Sequence, residues 1–134
     1  MMMQVLIVEN DPQVATMLKD IVEIDQLHVV SGIAIDLAGA MASIDACPPQ
    51  IVLIDLHLAG TATGVEVAAR ARERRVPTLF TTANPLPFPV PELALGCLCK
   101  PYNCHSVAQA LRISEGIIMG KVSNIDVPPE LELY

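Results

Sequence analysis

Short aliphatic runs alternate with helix-patterned segments along this chain, and no other feature limits its fold as strongly. Val5-Leu6-Ile7-Val8 and Ile51-Val52-Leu53-Ile54 are continuous apolar runs, the pattern of strands buried on both faces. Thr78-Leu79-Phe80-Thr81 and Cys97-Leu98-Cys99 are shorter runs of the same kind, and His28 to Ile35 reads as a strand interrupted near Gly32. Between them, Pro12 opens a segment in which Val14, Ala15, Leu18, Ile21 and Val22 recur at helical spacing. Leu37 to Ala46 reads as a second helix, stopped by Pro48-Pro49. After a Gly-containing loop from Leu58 to Gly64, Val65, Val67, Ala68, Ala71 and Arg72 mark a third helix, and Asn103 suits the cap of a last one running to about Met119. The exception is the stretch from Asn84 to Pro91. Pro85, Pro87, Pro89 and Pro91 forbid a regular helix there, and only Glu92 to Leu95 leaves room for a helical turn.

Strands that alternate with helices imply a parallel sheet covered on both faces. The expected fold is therefore α/β: a three-layer αβα sandwich, flavodoxin-like, with a five-stranded parallel sheet in the order 2-1-3-4-5. Its fourth helix is shortened or replaced by the proline-rich loop. Residues 1–120 are assigned to this one domain and 121–134 to a C-terminal tail. A chain of 134 residues can bury a core without disulfides, so Cys47, Cys97, Cys99 and Cys104 read as free thiols in a cytoplasmic protein.

The polar residues at the strand ends carry the functional signal. Glu9 and Asn10 follow the first strand, Asp55 ends the third, Thr82 follows the fourth and Lys100 the fifth. In an open parallel sheet those carboxyl ends share one edge, where ligands bind at the topological switch point. Crowded carboxylates repel one another and favour a proton or a divalent cation, and a hard, oxygen-preferring ion such as Mg²⁺ fits these ligands. With such an ion neutralising charge, Asp55 is suited to act as the nucleophile that forms an acyl phosphate.

Four segments carry a resemblance: Val5 to Pro12, Ile51 to Gly60, Pro77 to Ala83 and Lys100-Pro101-Tyr102. In this order and at these spacings they resemble the response-regulator receiver domains of two-component signalling. The resemblance implies that Asp55 is the phospho-acceptor, Thr82 the switch hydroxyl and Lys100 the phosphate-contacting lysine. It also implies that Mg²⁺ is held by Glu9, Asn10, Asp55 and the backbone carbonyl of His57. The phosphoryl donor would be a histidine kinase or a His-containing phosphotransfer protein, and the output would go to a downstream protein. Such a module is a signalling switch rather than an enzyme, and is expected here as a monomer or weak homodimer. Three departures stand out. Asn10 replaces the family's second acid, which weakens Mg²⁺ binding. The fourth helix is lost to prolines. Cys97 occupies the position of the family's switch aromatic, three residues before the lysine. Asn10 and the missing helix also support a second reading, a phosphorylation-independent receiver that acts as a protein-binding module.

Other functions fit less well. A net charge of −7 without a run of Lys or Arg argues against a nucleic-acid surface, and Arg70, Arg72, Arg74 and Arg75 read as a solvated helix face. No apolar run is long enough to span a membrane. The acidic Glu9-Asn10-Asp11-Pro12 turn would repel a flavin phosphate. Asp55-Leu56-His57-Leu58-Ala59-Gly60 fits the D-x-H-x-x-G pattern of cobalamin-binding domains but follows the third strand instead of the first, so His57 reads as a solvent-side loop residue. Cys97, Cys99, Cys104 and His105 match no dependable zinc spacing.

Overall fold

A computed structural model of the chain describes residues 2–24, 26–58, 63–121 and 124–134. The aliphatic runs become β1 (Met3–Val8), β2 (His28–Ala34), β3 (Ile51–Asp55), β4 (Thr78–Thr82) and β5 (Gly96–Cys99). Between them and after β5 lie α1 (Pro12–Glu23), α2 (Leu37–Ala46), α3 (Thr63–Glu73) and α4 (Cys104–Ile118). The five strands pair in parallel in the order β2-β1-β3-β4-β5. The β1–β2 register slips between Val5 and Leu6, so that Val5 faces Val30 and Leu6 faces Gly32. This irregularity accounts for the break that the sequence suggests near Gly32.

Strand alternation splits the core into two layers. Leu6, Val8, Val52, Ile54, Phe80 and Cys97 face α2 and α3. Met3, Val5, Ile7, Ile51, Leu53, Leu79 and Leu98 face α1 and α4. Helix ends are fixed by their neighbours in sequence. The Asp11 carboxylate accepts from the amides of Gln13 and Val14 at the start of α1, with Pro12 in the first turn. Asn103 and Ser106 form a reciprocal capping box on α4.

The proline-rich stretch holds no regular helix. Its ordered feature is a turn in which Leu93 and Ala94 donate to the Val90 carbonyl. Val90 and Ala94 are buried there, with Leu86 and Leu93 packed against the same layer. The stretch thus covers the flank where a helix would lie.

Among the described residues the sheet has six strands, which corrects the expected five. Leu131–Leu133 forms β6, antiparallel to β5, so part of the segment read as a tail extends the sheet. The reason lies in the Leu131-Glu132-Leu133-Tyr134 alternation, which suits an edge strand but is too short to stand out by period alone. All four cysteines are free, as expected. The arginines at 70, 72, 74 and 75 are exposed, and Arg74 pairs with Asp45 of α2.

Candidate functional site

The carboxyl ends of β1, β3, β4 and β5 bring three of the sequence-predicted residues into direct contact. Glu9 leaves β1 with its amide bonded to the Ala34 carbonyl, which points the side chain across the sheet edge. Asp55 closes β3, and Lys100 follows β5. The Lys100 ammonium lies 3.3 Å from the Glu9 carboxylate and 3.7 Å from that of Asp55. Glu9 is 3% exposed and Asp55 8%, so the acids form a nearly buried pair with a half-exposed lysine at its rim.

Burial raises the Glu9 pKa above the ordinary carboxylate value of 4.5, and the neighbouring Asp55 charge pushes the same way. A hydrogen bond from the Asp11 amide, at 3.2 Å, and the Lys100 charge oppose that shift. The other oxygen-rich feature is local to Asp55. One of its carboxylate oxygens accepts the His57 amide at 3.1 Å, which fixes the side chain's rotation and leaves the second oxygen toward Lys100.

Thr82 sits at the end of β4, and its backbone carbonyl accepts the Lys100 amide at 2.8 Å. Its hydroxyl is buried and engaged with residue 84 of its own loop. It donates to the Asn84 carbonyl at 3.2 Å and accepts the Asn84 amide at 3.0 Å. A ring nitrogen of His57 also lies 3.1 Å from that carbonyl, which ties the loop after β3 to the loop after β4. His57 is exposed, as a loop residue should be. Ala59 and Gly60 of the D-x-H-x-x-G pattern lie outside the described residues. Asn10 is exposed beside Glu9. Among the described residues, no three His, Cys, Asp or Glu side chains are grouped to hold a metal, including the cysteines near His105. The acid pair is one carboxylate short of such a group.

Some contributors carry no signal by residue type alone. Asp11 caps α1 and buttresses Glu9 at once. Its position before Pro12 marks the cap, but not the second contact. Tyr102 packs near the acid pair, and its hydroxyl is pushed up to about 12, first by burial and then by the Glu9 and Asp55 charges. Gly64, in the first turn of α3, lets that helix approach the end of β3. A Cβ there would sit 2.8 Å from the Leu56 Cα and closer still to the Asp55 carbonyl.

Residues 5–112 match the family model described as response regulator receiver domain. The chain belongs to the response-regulator receiver family. As a receiver domain it is a module of two-component signalling, in which phosphorylation and magnesium are typical. It is 34% identical over 116 residues to the "Positive alginate biosynthesis regulatory protein" of Pseudomonas aeruginosa, covering 82% of this chain and 46% of that protein. The chain therefore spans about half the length of that curated relative. Among solved structures, the anti-anti-sigma factor PhyR of Bartonella quintana superposes with a TM-score of 0.71 at 27% identity, over 90% of this chain and 51% of that one. The signal receiver domain of a modulated diguanylate cyclase from Desulfovibrio desulfuricans gives 0.75 at 25%, over 89% and 98%. The PhyR receiver domain of Erythrobacter litoralis shares the fold at 23% identity, with a TM-score of 0.66 over 94% and 97%. No described helix is long and apolar enough to cross a membrane.

Proposed function

We propose that this receiver domain accepts a phosphoryl group on Asp55 from a histidine kinase or a His-containing phosphotransfer protein and signals through protein–protein contacts. The observation that carries this reading is the juxtaposition of Glu9, Asp55 and Lys100 at the carboxyl edge of the sheet. An Asp55 carboxylate oxygen attacks the phosphorus of a phosphohistidine. The new O–P bond forms as the N–P bond breaks, and the imidazole leaves with its electron pair and takes up a proton.

Glu9, Asp55, the Asn10 side-chain carbonyl and the His57 backbone carbonyl are the groups that would hold Mg²⁺. The donor set fits a hard cation, because two neighbouring carboxylates are buried together, and burial and the Asp55 charge both raise the Glu9 pKa. Bound there, the ion would offset the charge of the phosphoryl oxygens. With Asn10 in place of an acid the site carries one negative charge fewer, so we expect weak binding. Lys100 is close enough to Asp55 to exchange its carboxylate contacts for phosphoryl oxygens. Thr82 would release Asn84 to donate its hydroxyl to the same group, loosening the 83–95 loop that replaces a helix.

The second reading, a phosphorylation-independent binding module, is favoured by Asn10 and by the absence of a helix between β4 and β5. Beryllofluoride, which takes the place of the phosphoryl group on an aspartate, separates the two. With Mg²⁺ present, amide shifts at Thr82, Asn84 and Lys100 support the first reading. An unchanged spectrum at saturating beryllofluoride supports the second.

A further inference from the structure

β5 is held on its outer side by a strand of only three residues. Between α4 and that strand, the described residues contain neither helix nor strand. The contact is nonetheless specific. The Cys99 amide donates to the Glu130 carbonyl at 2.7 Å, the Tyr134 amide donates to the Leu95 carbonyl at 3.0 Å, and Gly96 faces Leu133. Gly96 is the only residue type that admits this partner. A Cβ there would sit 3.2 Å from the Leu133 Cα and run into the Glu132 carbonyl, so its nearest clashes are with the backbone of this strand.

Two side chains anchor the strand on opposite faces of the sheet. Leu131 is buried in the layer with Leu98, Val107 and Leu111. Tyr134 packs into the other layer, beside Cys97 and Cys99. Cys97 is small where the family places an aromatic, and Tyr134 brings a ring to that neighbourhood from a different part of the chain. Its hold is incomplete. The hydroxyl is buried near the Cys97 and Cys99 thiols and has no hydrogen bond of ordinary geometry. Glu132 and Leu133 are exposed.

We propose that the outer edge of β5 is a strand-accepting docking surface, that residues 130–134 mask it as an internal pseudo-ligand, and that its exchanging occupant is an extended partner segment carrying an aliphatic residue three positions before an aromatic one. That spacing is read from Leu131 and Tyr134, the two residues that seat the internal strand. A short edge strand with few buried side chains belongs to the part of a structure that opens first. Once it opens, the β5 amides and carbonyls become a template for another extended chain. Displacement of residues 130–134 frees the Cys99 amide, next to Lys100, whose own amide is tied to Thr82. The docking edge and the acid pair therefore share one strand, although strand exchange needs no phosphorylation.

The test uses an acetylated, amidated peptide of residues 128–134 and the full chain labelled with ¹⁵N. Leu131→Asp combined with Tyr134→Ala removes both anchors and opens the edge. The peptide should then shift the amides of residues 96–99 saturably. The wild type should respond at least tenfold more weakly at the same concentration, because its own strand competes at a millimolar-range effective concentration. Adding Gly96→Ala to the opened variant should abolish the response while leaving the far-ultraviolet circular dichroism unchanged. In the wild type, the Cys99 and Tyr134 amides should exchange with deuterium at least tenfold faster than the β1 and β3 amides. Three results would each overturn the proposal: no peptide response in the opened variant, core-like protection of those two amides, or concentration-dependent dimerisation of the wild type through this edge, which would make a second copy the occupant.

Discussion

At the scale of single residues, one lysine holds two buried acids whose charges repel. That balance makes the site sensitive to protons and to cations. Glu9 has a raised pKa in the folded chain, so the folded state binds its proton more tightly than the unfolded state does. This group's contribution to stability is fully present below the unfolded value of 4.5 and is lost as pH rises through the raised folded value. In chelator-containing buffer, the urea midpoint of the wild type should fall across that window, and Glu9→Gln should flatten the fall. Mg²⁺ should partly restore the wild-type midpoint above the window, because the ion replaces the lost proton. Asn10→Asp places a second acid beside Glu9 and should tighten Mg²⁺ binding by roughly tenfold or more, corresponding to about 1.4 kcal/mol. A titration followed through the amides of Asn10, Asp55 and His57 would measure it. The positions of Glu9, Asp55 and Lys100 were legible because each residue follows or ends a strand-like run. Tyr102 was not, because its place beside the acids depends on how the chain turns after β5.

At the scale of elements, the site depends on where two helices begin. Asp11 caps α1 with its carboxylate while its amide bonds to Glu9. Asp11→Ala should lower stability by about 1 kcal/mol in urea unfolding and leave Asp55 labelling at half the wild-type extent or better, since the amide contact to Glu9 remains. Gly64 is the stricter constraint. Gly64→Ala forces α3 away from the Asp55 and Leu56 backbone, so we expect a loss of about 1–3 kcal/mol. Labelling of Asp55 should fall with it, even under conditions where circular dichroism shows the variant fully folded. The alternation of strands and helices was readable because long, strongly periodic segments announce themselves. Gly64 looked like part of a loop, since a glycine in a first turn does not reveal what passes beneath it. β6 was missed for a related reason. Three residues of alternating pattern have meaning only beside the edge they complete.

At the scale of the whole molecule, the sheet order explains why residues 9, 55 and 100 meet. β1, β3, β4 and β5 are successive neighbours, so their carboxyl ends converge whatever the sequence distance between them. The same arrangement divides the chain's apolar residues into two layers, which leaves the site edge free of packing duty. The loss of a helix to prolines changes the flank beside β4 and β5 and leaves the edge itself intact. The central claim concerns chemistry at that edge, and intact-mass measurement after incubation with acetyl phosphate and Mg²⁺ tests it most directly. Wild type should gain the mass of one phosphoryl group, and Asp55→Ala should gain none. A wild-type chain that stays unmodified while Mg²⁺ is bound, or an Asp55→Ala chain labelled to the same extent, would contradict it.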